Sequence, residues 1–307
     1  MRSTHIYQLS AKQALILGFL LSFICTSISL QASNPAANDS LVINKGEEEP
    51  AIESNRGWYS TSLYAEFGMP KINHNEAGLD YGKTFSYGGG FNLNFRFVKW
   101  LGLQVGAGLS FQNNNISMES YEAEFHAVDS EGDAYTQIIT ARDVKEEQTW
   151  LFLNIPLALS YYRELGKIEL YGFGGVELRH ALKADYNQNG TFGHQGYYEQ
   201  WNILFDDLPA LGFYTDRPME VEAKMEADLL TLPFVGIGMF APSQKGRFYL
   251  EARYYFKSND PFADEKYPSL FPGPEHNQAI GTYKNPSVMN YGDVSFEGIK
   301  FVLGINF

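Results

Sequence analysis

The sequence predicts an all-β fold. Three observations carry that expectation: an aromatic fraction of 15% beside 29 glycines, apolar and polar residues that alternate segment after segment, and turn-like breaks between the segments. Phe and Tyr favour strands and Gly serves tight bends, whereas a helical chain of 307 residues would be richer in Ala, Leu and Lys.

The first segment is of another kind. Arg2 and Lys12 precede the apolar run "ALILGFLLSFI" (14–24), and "LQAS" supplies small residues around Ala32, so residues 1–32 read as a secretory signal peptide. The run is shorter than the roughly 20 residues a spanning helix needs, which disfavours an uncleaved anchor. A lipoprotein would use Cys25, but Ile24 stands where such a signal wants a small residue. Cleavage after Ala32 removes the chain's one cysteine, and disulfides and thiol catalysis go with it. The formal net charge of -13 becomes more negative once Arg2 and Lys12 depart, which excludes nucleic acid as a natural partner. Residues 33–57 are polar and carry an acidic run, so they read as a flexible periplasmic lead-in to a single domain at 58–307.

Within that domain the alternation has period 2, the strand signature. In "FSYGGGFNLNFRFV" the odd positions Phe85, Tyr87, Phe91, Leu93, Phe95 and Phe97 are apolar; in "LGLQVGAGLSFQ" Leu101, Leu103, Val105, Ala107, Leu109 and Phe111 are. "LFLNIPLALSY" (151–161), "FYLEARYYF" (248–256) and "VSFEGIKFVLGINF" (294–307) repeat the pattern, and residues 58–68 and 168–178 show it more weakly. "LLTLPFVGIGMF" (229–240) is apolar on both faces, so its orientation is not readable. These make eight candidate strands. The connections near Lys99, at 163–167 and at 241–246 are short, whereas 69–84, 112–148, 183–228 and 258–292 are long. Short and long alternate, as in an antiparallel up-and-down meander.

Which face points inward is decided by the polar set. It holds Glu66, Arg96, Glu169, Glu177, Arg179, Glu251, Arg253 and Lys300, balanced in charge and embedded among Gly, Ser, Asn and Gln. The narrow interior of an eight-stranded barrel needs small residues for room and paired charges, because a stranded buried charge costs several kcal/mol. A soluble ligand-binding barrel would reverse the faces. Lipid-out places no charge on the clearest apolar faces, where Arg or Lys would cost about 2–4 kcal/mol each at the midplane. The sequence therefore predicts an eight-stranded antiparallel up-and-down transmembrane β-barrel with long extracellular loops. Its lumen carries the charge network, both termini are periplasmic, and aromatics gather near strand ends.

The stretch "LFLNIPLALSYYRELGKIELYGFGGVEL" (151–178), with "FYLEARYYF" and a final strand ending in Phe, resembles the PorT-like group within the OmpA-like outer-membrane β-barrels of Gram-negative bacteria. The resemblance spans 58–307 and implies an envelope-structural, surface-binding or secretion-assembly role. Partners would be outer-membrane lipid, the barrel-assembly machinery during biogenesis, and an extracellular ligand or secretion-complex proteins. The chain departs from the family in its long acidic loops.

No catalytic, cofactor or metal site is expected. His74, His126, His194 and His276 are expected in loops and His180 at a strand end, none at metal-ligand spacing, and no nucleophile-elbow serine motif is present. The remaining classes are a small pore and an outer-leaflet lipid-modifying enzyme acting through His180 or His194. Residues 121–144 alternate on both sides of "DSEGD", predicting a hairpin that continues past the membrane. Tyr198, Trp201, Leu204, Phe205 and Leu208 lie at near-helical spacing, predicting a short amphipathic helix. Acids such as Asp206, Asp207, Asp260, Asp264 and Glu265 could hold Ca²⁺ loosely, without EF-hand spacing. Finally, Phe301, Leu303, Ile305 and Phe307 share one face of the last strand, a pattern that resembles the assembly signal of outer-membrane barrels.

Overall fold

The computed structural model describes residues 58–76, 78–129, 131–243, 246–264, 266–272 and 284–307; the expected signal and lead-in, His276 and Glu265 lie outside them. The chain forms strands β1 (Tyr59–His74), β2 (Asp80–Tyr81), β3 (Phe85–Val98), β4 (Leu101–Val128), β5 (Ala134–Leu165), β6 (Ile168–Tyr198), β7 (Ile203–Phe205), β8 (Tyr214–Lys224), β9 (Leu230–Ser243), β10 (Gly246–Tyr255) and β11 (Val294–Asn306).

All pairings are antiparallel. Eight strands close a ring, β1–β3–β4–β5–β6–β9–β10–β11, which shuts where β11 pairs with β1 from Ser62↔Asn306 to His74↔Val294. At that seam the Phe307 N–H donates to the Thr61 carbonyl at 2.8 Å, so the last residue is zipped to the first strand. The turns after β3, β5 and β9 are tight, and they lie with Trp58 and Phe307 at one end of the ring.

At the other end β4, β5 and β6 run far past their neighbours. The β4–β5 pairing continues to Val128↔Ala134 and the β5–β6 pairing to Thr136↔Tyr197, while β8 adds itself to β6 between Asp185↔Lys224 and His194↔Tyr214. Much of what reads as the second and third long loops is therefore strand. The second continues as the expected hairpin, turned at 129–133.

The third corrects the helix expected at 196–214. Asn202 takes the left-handed conformation (φ 51°), Leu208 and Phe213 form an antiparallel bridge, and Pro209–Leu211 is a single 3-10 turn ended by Gly212 at φ 90°. Two left-handed turns and a proline, which lacks an N–H, leave no room for a helix, and the apolar spacing is met by a compact hairpin. The histidines are corrected with it: His74, His126 and His194 lie in β1, β4 and β6, and His180 falls well inside β6. The strands keep pairing through polar residues, which hydropathy alone reads as loop.

The fourth connection folds inward. Phe262, Leu270, Phe271, Val288 and Met289 are buried against the concave face of the extension. There Trp150, itself fully buried, meets Phe262 and Phe296 edge-on at 6.1 Å. β9, unreadable from sequence, buries Leu230, Leu232, Phe234 and Phe240 and turns Val235, Ile237 and Met239 outward.

Candidate functional site

The interior of the ring collects the charges. Strand alternation places Glu66 (β1), Arg96 (β3), Glu169, Glu177 and Arg179 (β6), Glu251 and Arg253 (β10) and Lys300 (β11) on the inward face, because residues two apart along a strand share one side. Lys300 Nζ donates to Glu66 Oε1 at 2.9 Å and to Glu177 Oε1 at 3.2 Å, bridging β1 to β6 across the lumen. Arg179 Nε donates to Glu177 Oε1 at 2.7 Å and Tyr255 OH to Glu177 Oε2 at 2.7 Å, so this carboxylate is gripped from three strands. Arg253 donates through Nε and Nη2 to Glu251 Oε2 at 2.8 and 2.5 Å, and Tyr171 OH donates to Glu251 Oε1 at 2.8 Å.

A second group sits nearer the short turns. Arg96 Nη1 donates to Glu169 Oε1 at 2.7 Å, and Arg247 Nη1 pairs with Glu169 Oε2. The polar set read from sequence omits Arg247, because it follows a turn. Counting back by twos from Arg253 through Glu251 and Tyr249 reaches it on the same face.

Aromatic rings floor these charges. Arg96 lies 4.0 Å above the Tyr162 ring and Arg247 4.1 Å above Phe240, while Lys300 sits 5.1 Å from the Tyr255 centroid. A cation over a ring face gains about 0.5–2 kcal/mol. The gap among Gly68, Ser86, Arg179, Tyr255 and Lys300 amounts to ≈ 10 Å³, about the space of one water molecule. Side chains fill this lumen.

Above the charges a polar layer crosses the mouth. The wholly buried carboxylate of Glu146 accepts from Ser287 Oγ (2.5 Å), Val288 N (3.1 Å), Gln148 Nε2 (2.7 Å) and Gln188 Nε2 (2.8 Å). Burial pushes its pKa up, and the four donors hold it back. Two of them belong to the incoming segment, so Glu146 fastens that segment to β5.

The outer face is of opposite character. Leu63, Leu157, Ile237 and Leu303 all point away from the ring, and Ile237 is 71% exposed. Phe301, Leu303, Ile305 and Phe307 lie on this outer face of the seam. Tyr59, Phe97, Trp100 and Tyr161 are exposed near the short turns and Phe67, Phe85, Tyr87 and Phe111 toward the far end, with Phe67 stacked on Phe85 at 5.8 Å and Tyr87 on Phe111 at 5.6 Å.

Among the described residues no group of three or more His, Cys, Asp or Glu is placed to hold a metal ion, and no helix is long and apolar enough to cross a membrane. No family model matches the sequence, and no curated protein matches it. Among solved structures, the outer membrane protein OprG from Pseudomonas aeruginosa aligns at 13% identity over 81% of this chain and 95% of its own, with a TM-score of 0.37. OccK11 (OpdR) from the same organism aligns over the same shares at 10% identity and a TM-score of 0.10. Likenesses this weak carry no argument, and the functional reading rests on the geometry of the chain itself.

Proposed function

We propose that this chain is a non-enzymatic outer-membrane β-barrel with a filled lumen, PorT-like in its strand grammar, that holds a rigid extension outside the cell for surface binding, with an envelope-structural or secretion-assembly task as the wider role. The observation that supports it is an inversion of the two faces along the strands. In β5 the outward residues from Leu151 to Tyr161 are almost all apolar and the inward ones include Asn154 and Ser160. From Lys145 to Thr149 the outward residues are Lys145, Glu147 and Thr149, while Val144 and Trp150 are buried inside. β4 changes at the same level, from Leu109 and Phe111 outside to Asn113 and Asn115 outside with Ile116 and Met118 within.

A sheet turns its apolar face to lipid in one solvent and to its own core in the other, so the change marks the level where lipid gives way to water. Leu151 to Tyr161, at about 3.3 Å per residue and a tilt near 40°, spans roughly 25 Å, the height of the apolar belt of outer-membrane barrels. In this reading the short turns, Phe307 and the start of β1 face the periplasm, and the extension stands outside.

A pore is the second reading, and the bonds of Lys300 to Glu66 and Glu177, of Tyr255 to Glu177 and of Tyr171 to Glu251 across the lumen weigh against it. The test is fractionation followed by planar-bilayer recording of the purified protein. The proposal expects recovery with outer-membrane lipid, a need for detergent, and no stable openings. Recovery in the soluble periplasm overturns the barrel in lipid; large, stable openings overturn the filled lumen.

A further inference from the structure

The distal tip of the extension carries an apolar surface that the barrel itself does not use. Trp201 is 49% exposed and Leu204 46%, with Ile203, Leu208 and Leu211 exposed beside them. Trp201 and the loop backbone beside it are held in place. Trp201 stacks on Tyr198 with centroids 5.0 Å apart, Tyr198 stacks on Tyr135 at 5.1 Å, and the Tyr198 hydroxyl donates to Asp129 Oδ2 at 3.1 Å. The Tyr197 hydroxyl donates to Asn202 Oδ1 at 2.8 Å and pins the left-handed turn that presents Trp201. The Leu208–Phe213 bridge closes the neighbouring loop with two backbone bonds at 3.0 and 3.1 Å. A surface ordered before binding spends little conformational entropy when a partner arrives, and Trp and Tyr are the residues on which binding energy concentrates.

The electrostatics are one-signed. Neither 100–141 nor 184–216 contains a single Lys or Arg, and the two hairpin ends that meet through Tyr198 and Asp129 carry Asp129, Glu131, Asp133, Glu199, Asp206 and Asp207. A second copy of this chain would bring acid against acid. An anionic lipid surface would be repelled in the same way. The complement is a polypeptide that offers aromatic or aliphatic side chains between lysines or arginines, for which the acids steer the approach and the apolar residues hold.

We infer that the tip around Trp201 and Leu204 is a docking surface for a basic, apolar-centred polypeptide segment. The inference deepens the surface-binding reading above and rests on the barrel only for the direction in which the tip points.

The test pans a phage library of random peptides, about 12 residues long, against the detergent-purified full chain, with counter-selection on Trp201→Ser/Leu204→Ser. Both substitutions lie on exposed positions and leave the stacked Tyr198 and Tyr135 in place. Selected peptides should interleave Lys or Arg with apolar residues. They should lose at least about tenfold in affinity on the double variant. They should also weaken on Asp206→Asn/Asp207→Asn and when salt rises from about 0.05 to 0.5 M. Peptides without basic residues, or equal binding to the double variant, overturn the inference. So does Trp201-dependent binding to anionic phosphatidylglycerol vesicles, or Trp201-dependent dimerisation in sedimentation equilibrium. Insertion into lipid vesicles, read by protease protection of the strands, is scored separately. Normal insertion without tip-dependent peptides defeats the docking surface alone, and peptide binding by a chain that does not insert defeats the barrel alone.

Discussion

Replacing Lys300 with Met should destabilise the folded protein by about 3–5 kcal/mol, the cost of stranding a buried charge. The ammonium lies between Glu66 and Glu177, and all three side chains are at most 3% exposed. Their fates differ once it is gone. Glu177 keeps Arg179 at 2.7 Å and the Tyr255 hydroxyl at 2.7 Å, whereas Glu66 keeps one weak amide contact, Asn154 Nδ2 at 3.4 Å. A pair about 3 Å apart at an effective dielectric of 20 is worth roughly 5 kcal/mol, which bounds the loss from above. The penalty should therefore be traced to Glu66. Glu66→Gln/Lys300→Met should recover at least about 2 kcal/mol of it, leaving a hydrogen-bond and packing deficit of about 1–2 kcal/mol. Glu177→Gln/Lys300→Met should recover nothing, because it also strips Arg179 of its partner. The assay is reversible urea unfolding in lipid vesicles, followed by tryptophan fluorescence and by the different gel mobilities of folded and unfolded forms. A loss below about 1 kcal/mol for Lys300→Met, or equal losses for the two double variants, would refute the reasoning.

Deleting Phe307 removes two backbone bonds to Thr61 and the last outward aromatic of the seam, so levels in the outer membrane should fall severalfold while refolding of the purified chain changes little; normal membrane levels would sink the assembly role. Gly238→Val should cost about 1–3 kcal/mol in the same urea assay, since a Cβ there falls 2.3 Å from Tyr171 Cζ and displaces the ring whose hydroxyl serves Glu251; an unchanged midpoint would refute the packing. His194 is buried at the tip, its Nδ1 donating to the Gly212 carbonyl at 2.8 Å and its other nitrogen facing the Gln137 amide, so burial lowers its pKa and it folds neutral. Its contribution is complete above the unfolded value near 6.5 and is lost as pH falls below that, so protease cleavage of β6 and β8 should rise between about pH 7.5 and 5. Glu146, with its raised pKa, acts in the opposite sense as it takes up a proton, and His194→Gln isolates the histidine by flattening its share of the profile.

The ring was legible because its grammar is local. Period-2 alternation in Phe85 to Phe97 or Leu151 to Leu159 needs no knowledge of distant residues, and short turns fix which strands are neighbours. The charge set was legible for the same reason, as every member follows from counting by twos along its own strand. Which acid meets which base was not, because Lys300 reaches Glu66 and Glu177 across the lumen, over sequence separations of 234 and 123. The extension was the least legible part. Asn113, Asn115, Glu147 and Lys183 read as loop by polarity, and only pairing with neighbouring strands makes them sheet. The helical spacing from Tyr198 to Leu208 misled because aromatic stacking in a hairpin can reproduce it. What betrays the hairpin in the sequence is Pro209 together with Gly212.

The inversion of faces also explains why the extension needs the connection between β10 and β11. In the barrel proposed above, the ring can leave its lumen polar inside lipid, since paired charges and small residues fill it and the apolar belt is satisfied outside. On the same proposal the outward face is wetted above the lipid, so the inward face becomes the apolar one, and an open cup of Ile116, Met118, Ile139, Val144 and Phe192 would have no core to join. Phe262, Leu270, Phe271, Val288 and Met289 supply that core from this connection. Glu146 then has a reason to be buried with only neutral hydrogen-bond donors among its partners in the described residues. It lies where the polar lumen meets the apolar cup, and its four donors come from both walls and from the incoming segment, so one carboxylate ties the filling to the barrel below. The filled mouth and the exposed tip thus follow from a single rule: a strand long enough to cross from lipid into water must change which of its faces is dry.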